Sequence, residues 1–485
     1  MQMFINGEWL DGSASDRIPV LNPATEELID TVPVAAEEEV DMAVGAAQQA
    51  FKTWRKVAVH DRSEMLRYAA EKLRNNAEAY ARLVTKEQGK TLAENRESEI
   101  QVSYETLDYY AQLIKDNAGR VLPARNPSTF NFVSKEPYGP TACIVPFNYP
   151  VLLLIWKLAP AVAAGNTVVI KPSEKTPLST LKLMEDVFDH FPPGVINVVA
   201  GYSATAKALC RHPDIRTIAF TGSTAVGQSI VKETAHQSKN LLLELGGKDA
   251  AVVSQSSDLN LAARAISSSS LWNSGQICTS TERVFVHESV YEAFLVLLKE
   301  RFEAIQLGDG MDESNDIGPL CDASGFEKIE RHVEDAVAKG ARLVTGGAPS
   351  KAHSKGYFFE PTILADTTLD MLCQTEESFG PMVSIAAYKD FEGVIHRVNE
   401  SEYGLGAVLF SENPREVKAF FEDVKAGSIW INEPLTDSIG GPFGGMKSSG
   451  FGDYRELGQE GLAAFQETKH VHWTFAPEAL QDDWF

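Results

Sequence analysis

The strongest pattern in the chain is a regular alternation of short apolar segments and amphipathic segments between residues 137 and 246. The apolar segments are rich in β-branched residues and predict buried strands at Thr141–Val145, Thr167–Ile170, Val195–Val199, Ile215–Phe220 and Leu241–Leu245. The segments between them predict helices at Val151–Ala164, Pro177–Phe188, Ala204–Cys210 and Val226–Ala235. This order is typical of a parallel sheet covered by helices on both faces, in which ligands bind beyond the carboxyl ends of the strands.

The residues before this region follow other patterns. Residues 4–35 alternate short apolar pieces with turn residues, which predicts small strands. Residues 35–118 have a helical period, including a charged run from Glu94 to Lys115, and we expect their charges to lie on solvated faces. Residues 120–135 contain helix-breaking prolines and predict an extended excursion.

The second half of the chain again mixes helices and strands. Helices are predicted at Leu259–Ser270, Val290–Ile305, Phe326–Lys339 and Pro414–Val424, and strands at Arg283–Val286, Val383–Ala386, Ala407–Phe410 and Ser428–Ile431. A second α/β domain therefore begins soon after Gly247, and the strand-like tail from Ala464 is expected to pair outside that domain. A length of 485 residues favours two or three domains.

Composition and charge exclude several classes of protein. The net charge of −23 argues against binding nucleic acid, which normally requires a basic surface. Five widely spaced cysteines without a Cys-x-x-Cys pair form neither a disulfide framework nor a zinc site, and the ten histidines lack metal-ligand spacing. The apolar stretch Val151–Ile170 contains Lys157, Pro160 and Gly165, which favours a buried helix and strand over a membrane span. With an N-terminus that does not resemble a signal peptide, these features predict a cytoplasmic protein without a metal.

A candidate nucleophile, Cys278, lies 34 residues after a candidate base, Glu244. A thiol nucleophile needs a base to remove its proton, or to activate the water that later attacks a thioester. A glutamate at the end of a strand can be this base, and Gly246 and Gly247 after it allow another backbone or a ligand to approach. Taken alone, Cys278 is by default an inert buried thiol, and only the neighbouring motifs favour a nucleophile.

Three other candidate motifs follow predicted strands. Phe220–Gly227 opens a helix whose first amides can bind a phosphate, although its glycine spacing differs from the dinucleotide fingerprint and a plain turn fits it too. Lys171, Ser173 and Glu174 follow another strand; their side chains can bind a ribose, and the carboxylate favours NAD over NADP, while a plain charged turn is the alternative. Asn148 lies between two prolines on a stiffened loop, where its amide can stabilise an oxyanion or simply form the turn.

Further candidates lie in the second half and among the aromatic residues. Glu377 can hold a ribose and Phe379 can brace a ring, or both can belong to a solvated loop. The glycine-rich segment Pro442–Gly450 fits a flexible linker or a loop that closes a site. Aromatic residues that can line a pocket or pack in the core are Tyr149, Trp156, Trp272 and Phe443.

Together these segments resemble the NAD(P)-dependent aldehyde dehydrogenase superfamily over nearly the whole chain. The resemblance is carried by seven motifs in order: PFNYP (146–150), KPSE (171–174), FTGSTAVG (220–227), ELGGK (244–248), GQIC (275–278), EESFGP (376–381) and PFGGMKSSG (442–450). It implies that Cys278 is the nucleophile, Glu244 the general base, and Asn148 with the Cys278 N–H the oxyanion site. Two departures are Phe147, where tryptophan is usual, and a longer loop at 451–455.

The resemblance also implies the binding residues and the architecture. NAD, with NADP as the alternative, is expected to contact Pro146, Phe147, Lys171, Ser173, Glu174, Phe220, Gly222, Ser223, Val226, Gly227, Leu245, Gly246, Glu377 and Phe379. The aldehyde is expected to contact Tyr149, Trp156, Trp272, Ile277, Thr279 and Phe443. The implied parts are a Rossmann-type cofactor domain (1–118 and 138–246), an α/β catalytic domain (247–462) and a small β element for homodimer or homotetramer assembly (119–137 and 463–485).

The implied reaction is oxidation of an aldehyde to a carboxylic acid through a thioester. Members specific for succinic semialdehyde place arginines where this chain has Trp156 and Trp272, so an amino-, betaine- or small neutral aldehyde is favoured. The alternatives are a succinate-semialdehyde dehydrogenase, a CoA-acylating enzyme, whose members generally lack the glutamate, and a catalytically silent relative.

Overall fold

The computed structural model describes residues 1–13 and 15–475, so residues 476–485 of the predicted assembly element lie outside the described residues. The strands of the first half are β1 (Met3–Ile5), β2 (Glu8–Leu10), β3 (Arg17–Leu21), β4 (Leu28–Pro33), β5 (Arg120–Leu122), β6 (Thr129–Pro137), β7 (Thr141–Ile144), β8 (Val168–Lys171), β9 (Ile196–Val198), β10 (Thr217–Thr221) and β11 (Asn240–Glu244). Its helices are α1 (Glu37–Trp54), α2 (Val59–Asn75), α3 (Ala77–Gln88), α4 (Leu92–Glu94), α5 (Val102–Leu113), α6 (Leu152–Ala164), α7 (Pro177–Asp186), α8 (Ser203–Arg211) and α9 (Thr224–Thr234).

The predicted parallel sheet is confirmed and contains β7 to β11. The strand order is β11-β10-β7-β8-β9-β1-β2, and the hairpin β1–β2 extends the sheet antiparallel to β9. Every residue of β7 to β11 is buried, as expected for strands covered by helices on both faces. The chain leaves β7 toward β8 and β9 and later returns to β10 on the other side of β7. This reversal creates a crevice at the carboxyl ends of β7 and β10.

The second half forms a second seven-stranded sheet, in the order β14-β15-β16-β13-β12-β17-β18. Its strands are β12 (Asp249–Val253), β13 (Thr281–His287), β14 (Arg342–Thr345), β15 (Thr362–Ala365), β16 (Met382–Tyr388), β17 (Gly406–Phe410) and β18 (Ser428–Ile431). The helices around it are α10 (Leu259–Leu271), α11 (Tyr291–Ala304), α12 (Ala323–Ala338), α13 (Leu372–Thr375), α14 (Phe391–Asn399) and α15 (Pro414–Asp423). The last helix, α16 (Gly458–Ala463), contacts α6 of the first half instead. Pattern analysis missed β12, because it follows the apolar run that ends at Glu244 after only four residues.

The strand-like tail is β19 (Gln466–Thr474), which pairs antiparallel with β6 along its whole length. Together with β5 it completes a three-stranded sheet in the order β19-β6-β5. Exposed apolar residues on or beside this sheet are Val121, Phe130, Trp473 and Phe475. The division of the chain into domains at residues 118, 138, 246 and 462 stays a prediction.

The expectation that the charges of residues 35–118 are solvated is wrong for six side chains. Glu39 is 3% and Arg62 is 6% exposed. Glu87, Lys90, Glu94 and Glu99 are each at most 4% exposed. The helix α4 continues through a π-helical stretch, Asn95–Gln101, into α5, which packs against α2 and α6. Helical period alone does not reveal this burial, because the charged residues are satisfied by each other and by backbone groups inside the fold.

Candidate active site

Two cavities meet at Cys278 and Asn148. The first cavity has a volume of about 680 Å³ and the second of about 700 Å³, and both side chains belong to the lining of each. Cys278 is partly exposed, whereas the other four cysteines are buried. A thiol between two clefts can contact one molecule from each of them.

The first cavity brings together the residues predicted to hold the aldehyde. Its wall includes all six of them: Tyr149, Trp156, Trp272, Ile277, Thr279 and Phe443. Trp156 and Phe443 meet edge to face, with their ring centroids 5.1 Å apart. The cavity therefore has an aromatic wall leading to the cysteine.

The second cavity collects thirteen of the fourteen residues predicted to contact the dinucleotide; Gly227 is the exception. Gly227 is buried beneath the lining, where an added β-carbon would lie 2.4 Å from Leu245 Cδ2. Gly227 therefore allows α9 to pack closely against Leu245, which follows β11. Leu245 separates Gly227 from the cavity.

Glu244 ends β11 and faces the second cavity beside Cys278. Its side chain is almost fully buried, and within the described residues neither carboxylate oxygen has a hydrogen-bond partner. Burial is the main cause that raises its pKa to about 8, and the nearby Glu456 carboxylate adds to the rise, while Lys157 opposes it. A carboxylate with this pKa can exchange protons near neutral pH.

The cysteine thiol is protonated in this environment. Burial raises the pKa of Cys278 well above its usual value, and the neighbouring Glu244 raises it further. The two groups lie in one cleft, so the loss of the thiol proton and the charge of the carboxylate are coupled.

Two glycines after Glu244 permit close contacts, as predicted. A β-carbon on Gly247 would lie 2.2 Å from the carbonyl oxygen of Cys278, and one on Gly246 would lie 2.9 Å from Glu377 Oε1. The Gly247 N–H also donates a 3.1 Å hydrogen bond to Glu377 Oε1. The absence of side chains here lets Glu244, the cysteine loop and Glu377 converge.

Asn148 is held against the cysteine loop. Its Nδ2 donates to the carbonyl oxygen of Gln276 at 2.9 Å, which leaves the second N–H of the amide for a ligand. Before Gln276 the backbone has positive φ at Asn273 (51°), Ser274 (52°) and Gly275 (73°). Left-handed backbone at two non-glycine residues costs energy and persists only where the surrounding structure enforces it.

The second cavity has the features of a dinucleotide site. The helix α9 begins at its wall, where Ser223 Oγ accepts a hydrogen bond from Val226 N–H, so the N-terminal amides face a position suited to a phosphate. Lys171 ends β8 and contacts Glu174 at 3.3 Å. Phe379 meets Phe147 edge to face, at 5.8 Å between ring centroids. Burial raises the pKa of Glu377, in the same lining, to about 7.

Sequence reasoning missed several charged groups at these cavities. Arg264, Glu433 and Asp437 line the first cavity, and the ion pair between Lys157 and Glu456 lies behind Glu244. Lys157 gave a usable signal, because it is the only charge in an otherwise apolar helix. Arg264, Glu433 and Asp437 gave none, since they occur in ordinary polar segments.

The comparisons with known proteins agree with this geometry. The profile of the aldehyde dehydrogenase family matches residues 9–471. The chain belongs to the aldehyde dehydrogenase family. Among its relatives are the mitochondrial aldehyde dehydrogenase of Leishmania tarentolae and the aldehyde dehydrogenase of Agaricus bisporus; each is 38% identical over 475 residues, or 97% of this chain and 94% of the relative.

Solved structures of other enzymes have the same fold. Betaine aldehyde dehydrogenase from Staphylococcus aureus, solved with NAD⁺, superposes with a TM-score of 0.96 at 32% identity, over 100% of this chain and 96% of that one. An NADP-dependent enzyme of E. coli superposes with a TM-score of 0.95 at 35% identity, over 98% of both chains. The predicted fold, the enzyme class and the NAD(P) cofactor are thereby confirmed.

Two further features concern the residues that the structure describes. No helix there is both long and apolar enough to cross a membrane. The same residues contain no cluster of three or more histidine, cysteine, aspartate or glutamate side chains arranged to hold a metal.

Proposed function

We propose that this aldehyde dehydrogenase oxidises a small cationic or neutral aldehyde, such as an amino- or betaine-type aldehyde, to its carboxylic acid through a thioester on Cys278. The observation that carries the proposal is the meeting of an aromatic cavity and a dinucleotide-sized cavity at the thiol of Cys278. The aldehyde enters from the first cavity, and bound NAD(P), in the second, supplies the hydride acceptor.

The first step is the attack of the Cys278 sulfur on the aldehyde carbon. The thiol gives up its proton to water in the cleft, so Glu244, which lies beside it, remains available for the second step. The aldehyde oxygen becomes an oxyanion that accepts hydrogen bonds from the free N–H of the Asn148 amide and from the Cys278 N–H. Losing one such donor typically raises the barrier by about 3–4 kcal/mol.

The second step is hydrolysis of the thioester. Once the hydride has left the substrate carbon, the acyl group stays bonded to Cys278. Glu244 removes a proton from a water molecule, which attacks the acyl carbon and releases the acid with the thiol restored. A buried carboxylate at this position supports hydrolysis over transfer to coenzyme A, and its presence with Cys278 argues against a silent relative.

The substrate class rests on the wall of the first cavity. Trp156 and Trp272 offer aromatic faces to an ammonium group, and Asp437 and Glu433 add negative charge. The structural neighbour from Staphylococcus aureus is a betaine aldehyde dehydrogenase. Arg264 on the same wall favours the second candidate, a dicarboxylic semialdehyde, although its side chain is exposed.

The proposed cofactor preference is NAD. Glu174 lines the second cavity and pairs with Lys171, so a carboxylate stands where an adenosine ribose is expected, and it would repel a 2′-phosphate. Lys175 and Lys207 line the same cavity and would soften that repulsion. NADP therefore remains the weaker alternative.

We also propose a homodimer or homotetramer assembled through the sheet β19-β6-β5. This sheet carries the exposed side chains of Val121, Phe130 and Trp473, which a partner would cover. Light scattering on the full chain measures the assembly, and a monomer at micromolar concentration would contradict it.

All five cysteines are unpaired, which suits a reducing compartment such as the cytoplasm.

The function is tested by NADH or NADPH formation with betaine aldehyde, 4-aminobutyraldehyde, hexanal and succinic semialdehyde, each with both cofactors. We expect the highest kcat/KM for a cationic aldehyde with NAD, and no activity for Cys278→Ser. A clear preference for succinic semialdehyde would replace the first candidate by the second. A requirement for coenzyme A would overturn the hydrolytic mechanism.

A further inference from the structure

A buried group of polar and charged side chains on residues 88–99 lies behind the active-site loops. We call Gln88, Lys90, Glu94 and Glu99 the helical brace. All four are at most 4% exposed. They belong to the part of the chain whose charges were expected to be solvated, and they lie outside the seven motifs.

The brace holds the loop of Asn148 at both ends. Lys90 Nζ donates to the carbonyl oxygen of Asn148 at 2.9 Å, and it also forms an ion pair with Glu99. The other oxygen of Glu99 accepts the N–H groups of Val151 and Leu152, at 2.7 and 2.9 Å, at the start of α6. One ion pair therefore fixes the peptide of Asn148 and the helix that follows it.

Lys90 also makes a cation–π contact. Its Nζ lies 3.7 Å from the centroid of the Tyr149 ring, which lines the first cavity. An ammonium group has three N–H donors, and here they serve the Asn148 carbonyl, the Glu99 carboxylate and the Tyr149 ring.

The same brace holds the loop that precedes Cys278. Glu94 Oε1 accepts the N–H of Asn273 at 2.6 Å, and Gln88 Nε2 donates to Asn273 Oδ1 at 3.0 Å. Asn273 Nδ2 in turn lies 3.2 Å from the carbonyl oxygens of both Asn148 and Gln276. These bonds explain how left-handed backbone persists at Asn273, and they join the two loops.

From these contacts we infer that Lys90 and Glu99 are positioning residues: they set the direction of the Asn148 amide toward the aldehyde oxygen on Cys278. The inference rests on the proposed role of Asn148. Replacing a buried ion pair by apolar residues is often neutral for stability, so folding alone does not require this pair. The rate of attack does depend on it, because a displacement of about 1 Å can cost roughly 100-fold in rate.

The chain contains a matched control for burial and capping. Glu87 is also fully buried, and its two oxygens accept the N–H groups of Leu178 and Ser179, at 2.8 and 3.0 Å, at the start of α7. Glu87 thus caps a helix as Glu99 does, but its carboxylate bonds the start of α7, whereas that of Glu99 bonds Lys90 and the start of α6 beside the Asn148 loop. Its replacement changes stability without moving Asn148.

The test compares Lys90→Met, the double variant Lys90→Met/Glu99→Gln and Glu87→Gln in the full-length enzyme. The rate of NADH formation in the first turnover, the KM for aldehyde, the Kd for NADH and the urea midpoint are measured for each. We expect the first two variants to lose about 10- to 100-fold in the first-turnover rate, with the Kd for NADH within about twofold of wild type. Lys90→Met leaves the buried Glu99 carboxylate without its partner, which lowers stability. The double variant can recover that stability, but we expect it to show the same loss of first-turnover rate.

Glu87→Gln is expected to lower the urea midpoint and keep the first-turnover rate. The inference is overturned if the double variant folds and reacts within about twofold of wild type, or if Glu87→Gln loses as much rate as Lys90→Met. Two other outcomes would contradict the proposed function rather than this inference. If wild type forms no NADH with any aldehyde, or if Asn148→Ala keeps the wild-type burst, the proposed function itself fails.

Discussion

Gly247 and the carbonyl oxygen of Cys278 are packed so closely that a β-carbon at residue 247 would lie 2.2 Å from that oxygen. The two residues are far apart in sequence, but this contact ties the end of β11 to the cysteine loop. This backbone contact therefore helps to keep the Glu244 carboxylate close to the Cys278 thiol.

Gly247→Ala is expected to push the cysteine loop away and abolish most activity. The contact is with backbone, which cannot move aside as a flexible side chain can, so we expect a loss of about 1–3 kcal/mol in stability. Urea unfolding and first-turnover NADH formation measure both effects. The control is Gly45→Ala in α1, where an added β-carbon meets nothing within 4 Å and stability should stay equal or rise. Equal behaviour of the two variants would show that the contact is unimportant.

Glu244→Gln is expected to keep the first burst of NADH and to slow the steady state by about 10²–10⁴-fold. The amide cannot accept the proton of the attacking water, whereas formation of the thioester remains open to other bases. Rapid-mixing absorbance at 340 nm separates the burst from turnover. Loss of the burst itself would mean that Glu244 is needed to deprotonate Cys278, and unchanged turnover would remove it from the mechanism.

The sequence predicts a site residue where its neighbours along the chain mark it, and fails where only tertiary packing decides its place. Glu244, Asn148 and Lys171 lie at strand ends, and Cys278 lies in a recognisable motif, so pattern and resemblance located them. Lys90 and Glu99 did not stand out, because a charged residue in a helical period looks the same whether tertiary packing buries it or water covers it. Gly227 was expected in the cavity wall and lies beneath Leu245, which no spacing along the chain could indicate.

The pH profile of turnover should depend on the Glu456 carboxylate. Glu244 must be ionised to act as a base, and its pKa is about 8, so turnover should rise with pH up to that value. Glu456→Gln removes a charge that raises this pKa, while Lys157, which lowers it, remains. The rising limb should therefore move to lower pH. Glu460→Gln, four residues further on and exposed, is the control and should leave the limb in place. If the rising limb of the pH profile stays at the wild-type pH in Glu456→Gln, the coupling between Glu456 and Glu244 is contradicted.

Cofactor choice should respond to Glu174. Glu174→Gln removes the charge expected to repel a 2′-phosphate, and a unit charge at about 4 Å in water is worth roughly 1 kcal/mol. We therefore expect the ratio of kcat/KM for NADP over NAD to rise about five- to tenfold. Glu185→Gln, on the exposed face of α7, is the control for a general change of surface charge. An unchanged ratio would show that the carboxylate does not face the ribose.

Substrate charge should be recognised by Asp437. Desolvation raises the pKa of this carboxyl to about 6, and the side chain is exposed at the first cavity. At pH 8 it is ionised and attracts an ammonium group, and below pH 6 it becomes neutral and loses that attraction. Asp437→Asn should therefore lower kcat/KM for 4-aminobutyraldehyde about tenfold at pH 8 and leave hexanal unchanged, a difference of roughly 1.4 kcal/mol. Arg264→Gln is the opposite control, because removing a cation should help the amino aldehyde and hinder succinic semialdehyde. If Asp437→Asn lowers kcat/KM equally for both aldehydes, Asp437 shapes the cavity without recognising substrate charge. The preference for cationic aldehydes must then come from the tryptophan faces alone.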